Sequence, residues 1–453
     1  MSEQSDEPAD PFADDRRRQR SVPSGRLSRL AGFGGLAAGV AGSVIGGGAR
    51  RLAAGERPRL EELILTPGNA KRLTDRLSHL RGAAMKLGQM ISMDAGDFLP
   101  AELSDILAAL RDRAHFMPAR QLDKVLAAEW GKDWRRQFRW FNPRPIAAAS
   151  IGQVHKAMTR DGEELAIKVQ YPGVADSIDA DVDNVAALLR ISGLLPDELD
   201  IAPLLGAAKE QLKEEADYIR EGDQMRLYAE RLKGEDGFVI PRLHEELTRP
   251  RILAMSFEEG VPIEVLGEED QALKDTTFER LIHLVARELF EFGVMQTDPN
   301  FANYRFRRSD GAIILLDFGA TRAVAPDVQG SYRRLLQAGL DADAERVREE
   351  AVAAGFISPV VIERHPERVD RMIAIIIGEM SRDAPFDFGD RSFVPLLRDE
   401  GMAIARDRAA WHLPPAETLF VQRKVSGTAL MGARIGAVVN IRRVVEETLE
   451  KTA

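Results

Sequence analysis

The chain has 453 residues, 44% hydrophobic and 30% charged, and a formal net charge of −10. That composition is globular, and the length exceeds one ordinary core, so more than one lobe is expected. The negative balance argues against general nucleic-acid binding, and the absence of cysteine excludes disulfides, thiolate zinc sites and cysteine nucleophiles.

Residues 1–24 are polar, first acidic and then basic, which predicts a disordered tail without a secretory signal. An uncharged stretch, Leu30 to Ala49, follows between Arg26, Arg29, Arg50 and Arg51, with Gly35-x-x-x-Gly39 and Gly42-x-x-x-Gly46 inside it. Its length nearly spans a bilayer and its small-residue spacing permits close helix packing, but glycine lowers helix propensity. A span, a membrane-surface or packing segment, and a flexible linker all fit residues 25–58.

Residues 59–118 are expected to form a helical extension. Leu73, Leu77, Leu80, Ala84 and Leu87 recur at three-four spacing, with Thr66-Pro67 near the start. Lys86 and Gln89 lie three apart, on one face of that helix, beside Gly88. A solvated face explains the pair, and so does a functional one that another backbone approaches at the glycine.

Residues 119–256 read as a mixed lobe. "AAASIGQVHKAMT" resembles a loop feeding a strand, and Asp161-Gly162 is a turn before the strand "ELAIKVQ". Residues 202–232 read as one long helix with acidic Glu214, Glu215, Asp217 and Glu221. "GFVIPRL" and "RILAMSFEEG" read as short strands. Residues 257–453 are expected to be mostly helical, apart from a loop and strand pair around 296–318.

Four pieces of this stretch carry chemistry. Lys168 sits inside an apolar strand, where an ammonium needs a partner or a route to solvent at a sheet edge. The acidic helix comes next, then Asp298-x-x-x-x-Asn303, then Asp317-Phe318-Gly319 after the apolar run "AIILL". Each is weak alone, and Asp298 and Asn303 are ordinary turn residues. Their order is that of a protein-kinase-like phosphoryl-transfer site: phosphate-positioning lysine, helix glutamate, catalytic-loop aspartate, and two magnesium ligands. Two kinase features are missing. The glycine-rich loop is replaced by Ala147-Ala148-Ala149-Ser150, stiffer because alanine resists positive φ, and no long activation segment follows Gly319.

The segments "KLGQMIS", "AAASIGQVHKA", "AIKVQYPGV", "EEADYIRE", "MQTDPNFANY" and "LLDFGATR", spread over about 240 residues, resemble the UbiB/AarF (ABC1/ADCK) atypical kinase-like family. They look closest to its mitochondrial coenzyme Q biosynthesis subgroup. The resemblance implies an α+β, two-lobed protein-kinase-like fold whose N-terminal helical extension covers the active site. It implies ATP and Mg2+ as ligands, with Lys168 paired to Glu221, Lys86 paired to Glu215 of a Glu-x-Asp motif, and Gln89 sealing the pocket. Asp298 is then the catalytic-loop residue, and Asn303 and Asp317 hold the metal. Ala147 to Ser150 shape nucleotide preference, and a hinge from Met255 to Phe257 meets adenine, although Ser256 stands where a glutamate is common. A lipid or quinone precursor, quinone-biosynthesis enzymes and peripheral membrane contact are the implied partners, with a cytoplasmic location on the inner face of the membrane. An ATPase or small-molecule kinase is expected; a protein kinase and a nucleotide-switched lipid-binding scaffold are the alternatives.

Overall fold

The computed structural model describes residues 116–191, 202–410 and 414–452. The segment 25–58, most of the helical extension, Lys86 and Gln89 lie outside those residues. The described chain forms two compact units, one from 116–191 and 246–254, the other from 202–245 and 255–452.

The first unit is built on an antiparallel sheet. β1 (Phe138–Ala148), β2 (Gly152–Thr159), β3 (Glu164–Gln170) and β5 (Ile252–Ser256) lie in the order β1-β2-β3-β5. β1 is an edge strand, which is why Pro143 and Pro145 are tolerated there, at breaks in its register with β2. Helix α1 (Ala119–Trp130) turns Leu122, Val125 and Leu126 inward and stops at Gly131, whose φ of 86° suits glycine. Trp130, Trp134, Phe138 and Phe141 interlock as tilted and edge-on rings, with centroids 5.1 Å apart for Trp134–Phe141 and 5.3 Å for Trp130–Phe138. Each buried indole finds an acceptor: Trp130 Nε1 donates to Leu247 O at 2.7 Å and Trp134 Nε1 to Asp123 Oδ1 at 3.1 Å. Helix α2 (Ile178–Ile191) completes the unit's described part.

The alanine-rich stretch is less of a loop than its sequence suggests. β1 runs on through Ala148, with Ala147 opposite Val154 and Ala148 opposite Gln153. Only Ala149, Ser150 and Ile151 turn the chain, closed by Ala149 N donating to Gly152 O at 2.9 Å. Ile151 is buried, and its carbonyl accepts from Tyr171 N at 2.9 Å. Alanine resists the positive φ that glycine allows, which leaves fewer ways to build a wide loop here.

The second unit opens with a correction. Residues 202–232 form two helices, α3 (Ala202–Glu215) and α4 (Tyr218–Arg231). Asp217 breaks them: its carboxylate accepts from Arg220 N at 3.0 Å, capping α4, a role aspartate prefers to a helix interior. Glu215 and Glu221 therefore belong to different helices. Residues 202–245, assigned by sequence to the first lobe, pack within the second unit because their apolar faces meet its core. Tyr228 of α4 packs tilted against Phe318 (5.0 Å) and edge-on against Phe292 (6.0 Å).

Strands β4 (Phe238–Val239), β6 (Val261–Pro262), β8 (Tyr304–Arg307) and β9 (Ala312–Leu315) form a small sheet in the order β4-β9-β8-β6. β7 (Val294–Gln296) and β10 (Thr321–Ala323), which flank β8 and β9 in sequence, pair with each other. Helix α5 (Gln271–Arg287) runs into a π-helical turn, Glu288–Phe292, which Gly293 ends at φ 66°. Helices α6 (Pro326–Leu340), α7 (Ala344–Ala353), α8 (Pro359–Arg364), α9 (Pro366–Met380), α10 (Val394–Ala405), α11 (Ala416–Ile435) and α12 (Ile441–Lys451) make up most of the remainder, with a short pair β11 (Phe386–Asp387) and β12 (Val438–Val439). α6 begins seven residues after Gly319, so the expected lack of a long activation segment is a feature of the fold.

Candidate active site

In the second unit, a tight hairpin brings together residues distant in sequence. β8 and β9 pair antiparallel, Tyr304 opposite Leu315. Asn303 precedes the first strand and Asp317 follows the second, so the pairing places them side by side, and Leu316 N donates to Asn303 O at 3.0 Å. Asn303 and Asp317 line one small cavity with Gln296, Tyr304, Phe318 and Lys424 among others.

The loop between β7 and β8 is held by its own hydrogen bonds. The Asp298 carbonyl accepts from Asn300 N at 2.8 Å, Gln296 Nε2 at 2.9 Å and Asn303 Nδ2 at 3.1 Å. The last of these fixes the Asn303 amide with its oxygen as the remaining acceptor. Thr297 ties the loop to the segment after Asp317, its N–H and hydroxyl donating to Ala320 O at 3.1 and 2.8 Å. One Asp317 carboxylate oxygen accepts from Gly319 N at 3.0 Å, which folds Asp-Phe-Gly into a compact turn.

That turn rests on the α3–α4 break. A Cβ built on Gly319 would stand 3.4 Å from Glu215 Cα. Arg220 of α4 donates to Gly319 O at 2.9 Å and also to Thr321 O. Arg322 is bound to Glu214 at 2.9 Å and lies over the Phe420 ring at 4.0 Å. Glu215 is buried and Glu221 is fully so.

In the first unit, Lys168 lies on β3 opposite Val154 and is buried, so the exposed edge-strand explanation for it fails. β3 sits between β2 and β5. Beneath the alanine turn, Gln153 and His155 are both fully buried. Burial pushes the His155 imidazole down to about 4 against the smaller, opposing effect of its bond to the Asn142 carbonyl. In the second unit, Met255, the last residue but one of β5, forms a bridge with Leu243. Ser256 accepts from Arg242 N at 2.8 Å through its hydroxyl oxygen and donates to Glu258 at 2.7 Å, so a carboxylate two residues on reaches the position where sequence offered only serine.

Several residues that shape the site had no place in the sequence reading. Arg423 and Lys424 of α11 are both buried, with side chains 2% exposed. Arg423 Nη2 donates to Asp298 Oδ1 at 3.3 Å. Lys424 Nζ donates to Tyr304 Oη at 3.0 Å and Gln296 Oε1 at 3.2 Å, and stands 3.2 Å from Glu288 Oε2. Burial opposes the charge on Lys424, but Glu288 and Tyr304 outweigh it and hold the ammonium above its ordinary value. Burial pushes the Glu288 carboxyl up, while Lys424 and the Tyr228 hydroxyl, donating at 2.6 Å, pull it back. The signal was available: Val421, Lys424, Thr428, Met431 and Ile435 form one three-four stripe, so Lys424 falls on the core-facing side of its helix.

The model of the ABC1 atypical kinase-like domain matches residues 109–351. The mitochondrial atypical kinase COQ8 of Saccharomyces cerevisiae is 37% identical over 94% of this chain and 85% of its own length. The mitochondrial atypical kinase COQ8B of Rattus norvegicus is 36% identical over 97% and 84%. Among solved structures, Rv3197 of Mycobacterium tuberculosis, in complex with erythromycin, superposes with a TM-score of 0.58 at 25% identity, covering 84% of this chain and 95% of that one.

Proposed function

The chain belongs to the ABC1 atypical kinase-like family, and from that premise we propose a magnesium-dependent ATPase, or small-molecule or lipid kinase, that supports ubiquinone biosynthesis. The observation that carries the reading is the pair Asn303 and Asp317, brought to one cavity by the β8–β9 hairpin directly after the Asp298 loop.

The donor set fits the metal. A carboxylate oxygen and an amide oxygen are hard ligands, and magnesium bound to nucleotide takes one or two protein ligands while phosphates and water complete its shell. Held there, a magnesium ion would supply positive charge to offset the negative charge that develops on phosphoryl transfer. In this reading Asn303 and Asp317 hold it. Asp298 orients the attacking hydroxyl or water and accepts its proton. Lys168, paired with Glu221, positions the phosphates. Ala147, Ala148, Ala149 and Ser150 cover the nucleotide, and Met255 to Phe257 meet the base. Lys86, with Glu215 as partner, and Gln89 close the pocket from the helical extension. The short connection from Gly319 to α6 leaves little chain to build a peptide groove, which favours water or a small molecule as acceptor over a protein. Purified protein is expected to hydrolyse ATP with magnesium, and Asp317→Asn to abolish hydrolysis; activity that survives this substitution refutes the assigned site.

The proposal includes peripheral contact with the inner face of a membrane through the arginine-flanked stretch 30–49. Among the described residues, no helix is long and apolar enough to cross a membrane. Flotation with liposomes, with and without residues 25–52, tests the contact, and equal flotation removes that stretch from the reading.

A further inference from the structure

The loop that carries Asp298 lacks a cation of its own. Protein-kinase catalytic loops place His-Arg before the aspartate, whereas Gln296-Thr297 stand there in this chain. Thr297 spends its hydroxyl on Ala320 O. A guanidinium nevertheless reaches the aspartate from α11, more than a hundred residues downstream. Arg423 Nη2 donates to Asp298 Oδ1 and its Nη1 to Gln211 Oε1 of α3, both at 3.3 Å.

The next residue extends the same grip. Lys424 holds Gln296 at the start of the loop and Tyr304 at its end, while Glu288 balances its charge. Two consecutive side chains of one helix thus hold the segment 296–304 at its start, at its aspartate and at its end. Buried ion pairs contribute little net stability compared with apolar replacements of similar shape, so the argument for this pair rests on placement. The guanidinium fork suits it: its two terminal nitrogens reach acceptors on different elements at once, whereas a lysine ammonium is a point charge.

We propose that Arg423 is the positioning residue for Asp298. Its bond to Oδ1 fixes the rotation of the carboxylate, so Oδ2 keeps one direction toward the nucleophile. Its bond to Gln211 ties that direction to α3, whose last residue, Glu215, lies against Gly319 of the Asp-Phe-Gly turn. The carboxylate and the metal-binding turn are thereby referred to the same helix. Arg423 makes no contact with the nucleotide in this account, so its loss acts on turnover and spares nucleotide affinity.

This inference rests on the proposed ATP chemistry, and its test separates the two. Steady-state hydrolysis of MgATP is measured for the full chain, for Arg423→Gln, Arg423→Lys, Asp298→Asn and the Asp298→Asn/Arg423→Gln pair, with MgADP affinity read by thermal shift. Arg423→Gln is expected to lower kcat about 10²-fold, the scale of a misplaced catalytic group, while KM and MgADP affinity stay within about 3-fold. Arg423→Lys, which keeps the charge and loses the fork, should fall between and also shows whether Arg423→Gln fails merely by unfolding. In the Asp298→Asn background, Arg423→Gln should cost nothing further, because its effect passes through the carboxylate. Wild-type turnover in Arg423→Gln, equal losses of turnover and MgADP affinity, or an independent loss in the Asp298→Asn background each overturn the positioning role. A wild-type chain that hydrolyses no MgATP overturns the chemistry beneath it as well.

Discussion

Protonating His155 should destabilise the first unit, and its hydrogen bonds say why. Met117 N donates to Gln153 Oε1 at 2.7 Å, and a backbone N–H has no acceptor to offer. Gln153 must therefore present its oxygen to Met117 and its amide NH2 to His155 Nε2, at 2.8 Å. That nitrogen is then the acceptor, and the imidazole proton sits on Nδ1, donated to Asn142 O at 2.9 Å. A second ring proton would face a donor. Burial keeps the folded imidazole neutral down to about 4, the bond to Asn142 opposing it only in part, against 6.5 in the unfolded chain. Below pH 6.5 the unfolded state binds the proton and the folded state refuses it, so the stabilisation is complete above 6.5 and is lost as pH falls toward 4. At about 1.4 kcal/mol per pH unit the full loss is on the order of 3 kcal/mol, of which about 2 kcal/mol has gone at pH 5. Urea unfolding at pH 7.5 and pH 5.0 measures it by tryptophan fluorescence, since three of the four tryptophans, Trp130, Trp134 and Trp140, lie in the first unit. Wild type should lose about 2 kcal/mol more than His155→Gln over that interval, even though the variant starts less stable. Parallel losses in the two proteins would refute both the tautomer and its role.

Three further substitutions probe the second unit. Gly432→Ala on α11 would place a Cβ 2.4 Å from Phe278 Cζ and 2.9 Å from Phe388 Cγ, in a fully packed region, and should cost about 1–3 kcal/mol by thermal denaturation. Gly319→Ala is the contrast: its Cβ meets nothing closer than 3.4 Å, so stability should change by no more than about 0.5 kcal/mol despite the Asp-Phe-Gly setting. Lys424→Met strands the buried Glu288 carboxylate and should destabilise the chain by about 3–5 kcal/mol at pH 7, while adding Glu288→Met should recover most of that loss in chemical denaturation.

What could be read from sequence followed from how local each signal is. β3, with Lys168 among apolar neighbours, and the β8–β9 hairpin, with its polar tip and two apolar runs, are fixed by alternation and turn residues over a few positions. The order of Lys168, Asp298, Asn303 and Asp317 was visible for the same reason. The α3–α4 break was hidden because Glu-Ala-Asp continues a helical pattern; only the Asp217 cap reverses it, and aspartate inside an acidic helix face looks ordinary. Arg423 and Lys424 were hidden differently. Their acceptors lie more than a hundred residues upstream, and no local pattern reports a pairing of that range.

The break and the pairing together suggest how the site keeps its geometry without a long activation segment. In a chain with such a segment, residues after Asp-Phe-Gly are ordered by contacts of their own. Here only six residues, 320–325, with the three-residue strand Thr321–Ala323 among them, separate the turn from α6, and other elements hold them. Arg220, one turn into α4, grips the Gly319 and Thr321 carbonyls, and it can do so because α4 starts afresh at Asp217. Glu214 at the end of α3 takes Arg322 on the other side of the same strand. A continuous helix through 202–232 would set residues 214 and 220 about 120° apart around the axis, on different faces, and would not aim both at one three-residue strand. The interruption lets two short helices brace the turn that carries Asp317, while α11 braces the loop that carries Asp298 and Asn303. Both braces are built from arginine and lysine side chains that end on backbone carbonyls, carboxylates, amides and a phenol, the interactions that fix direction as well as distance.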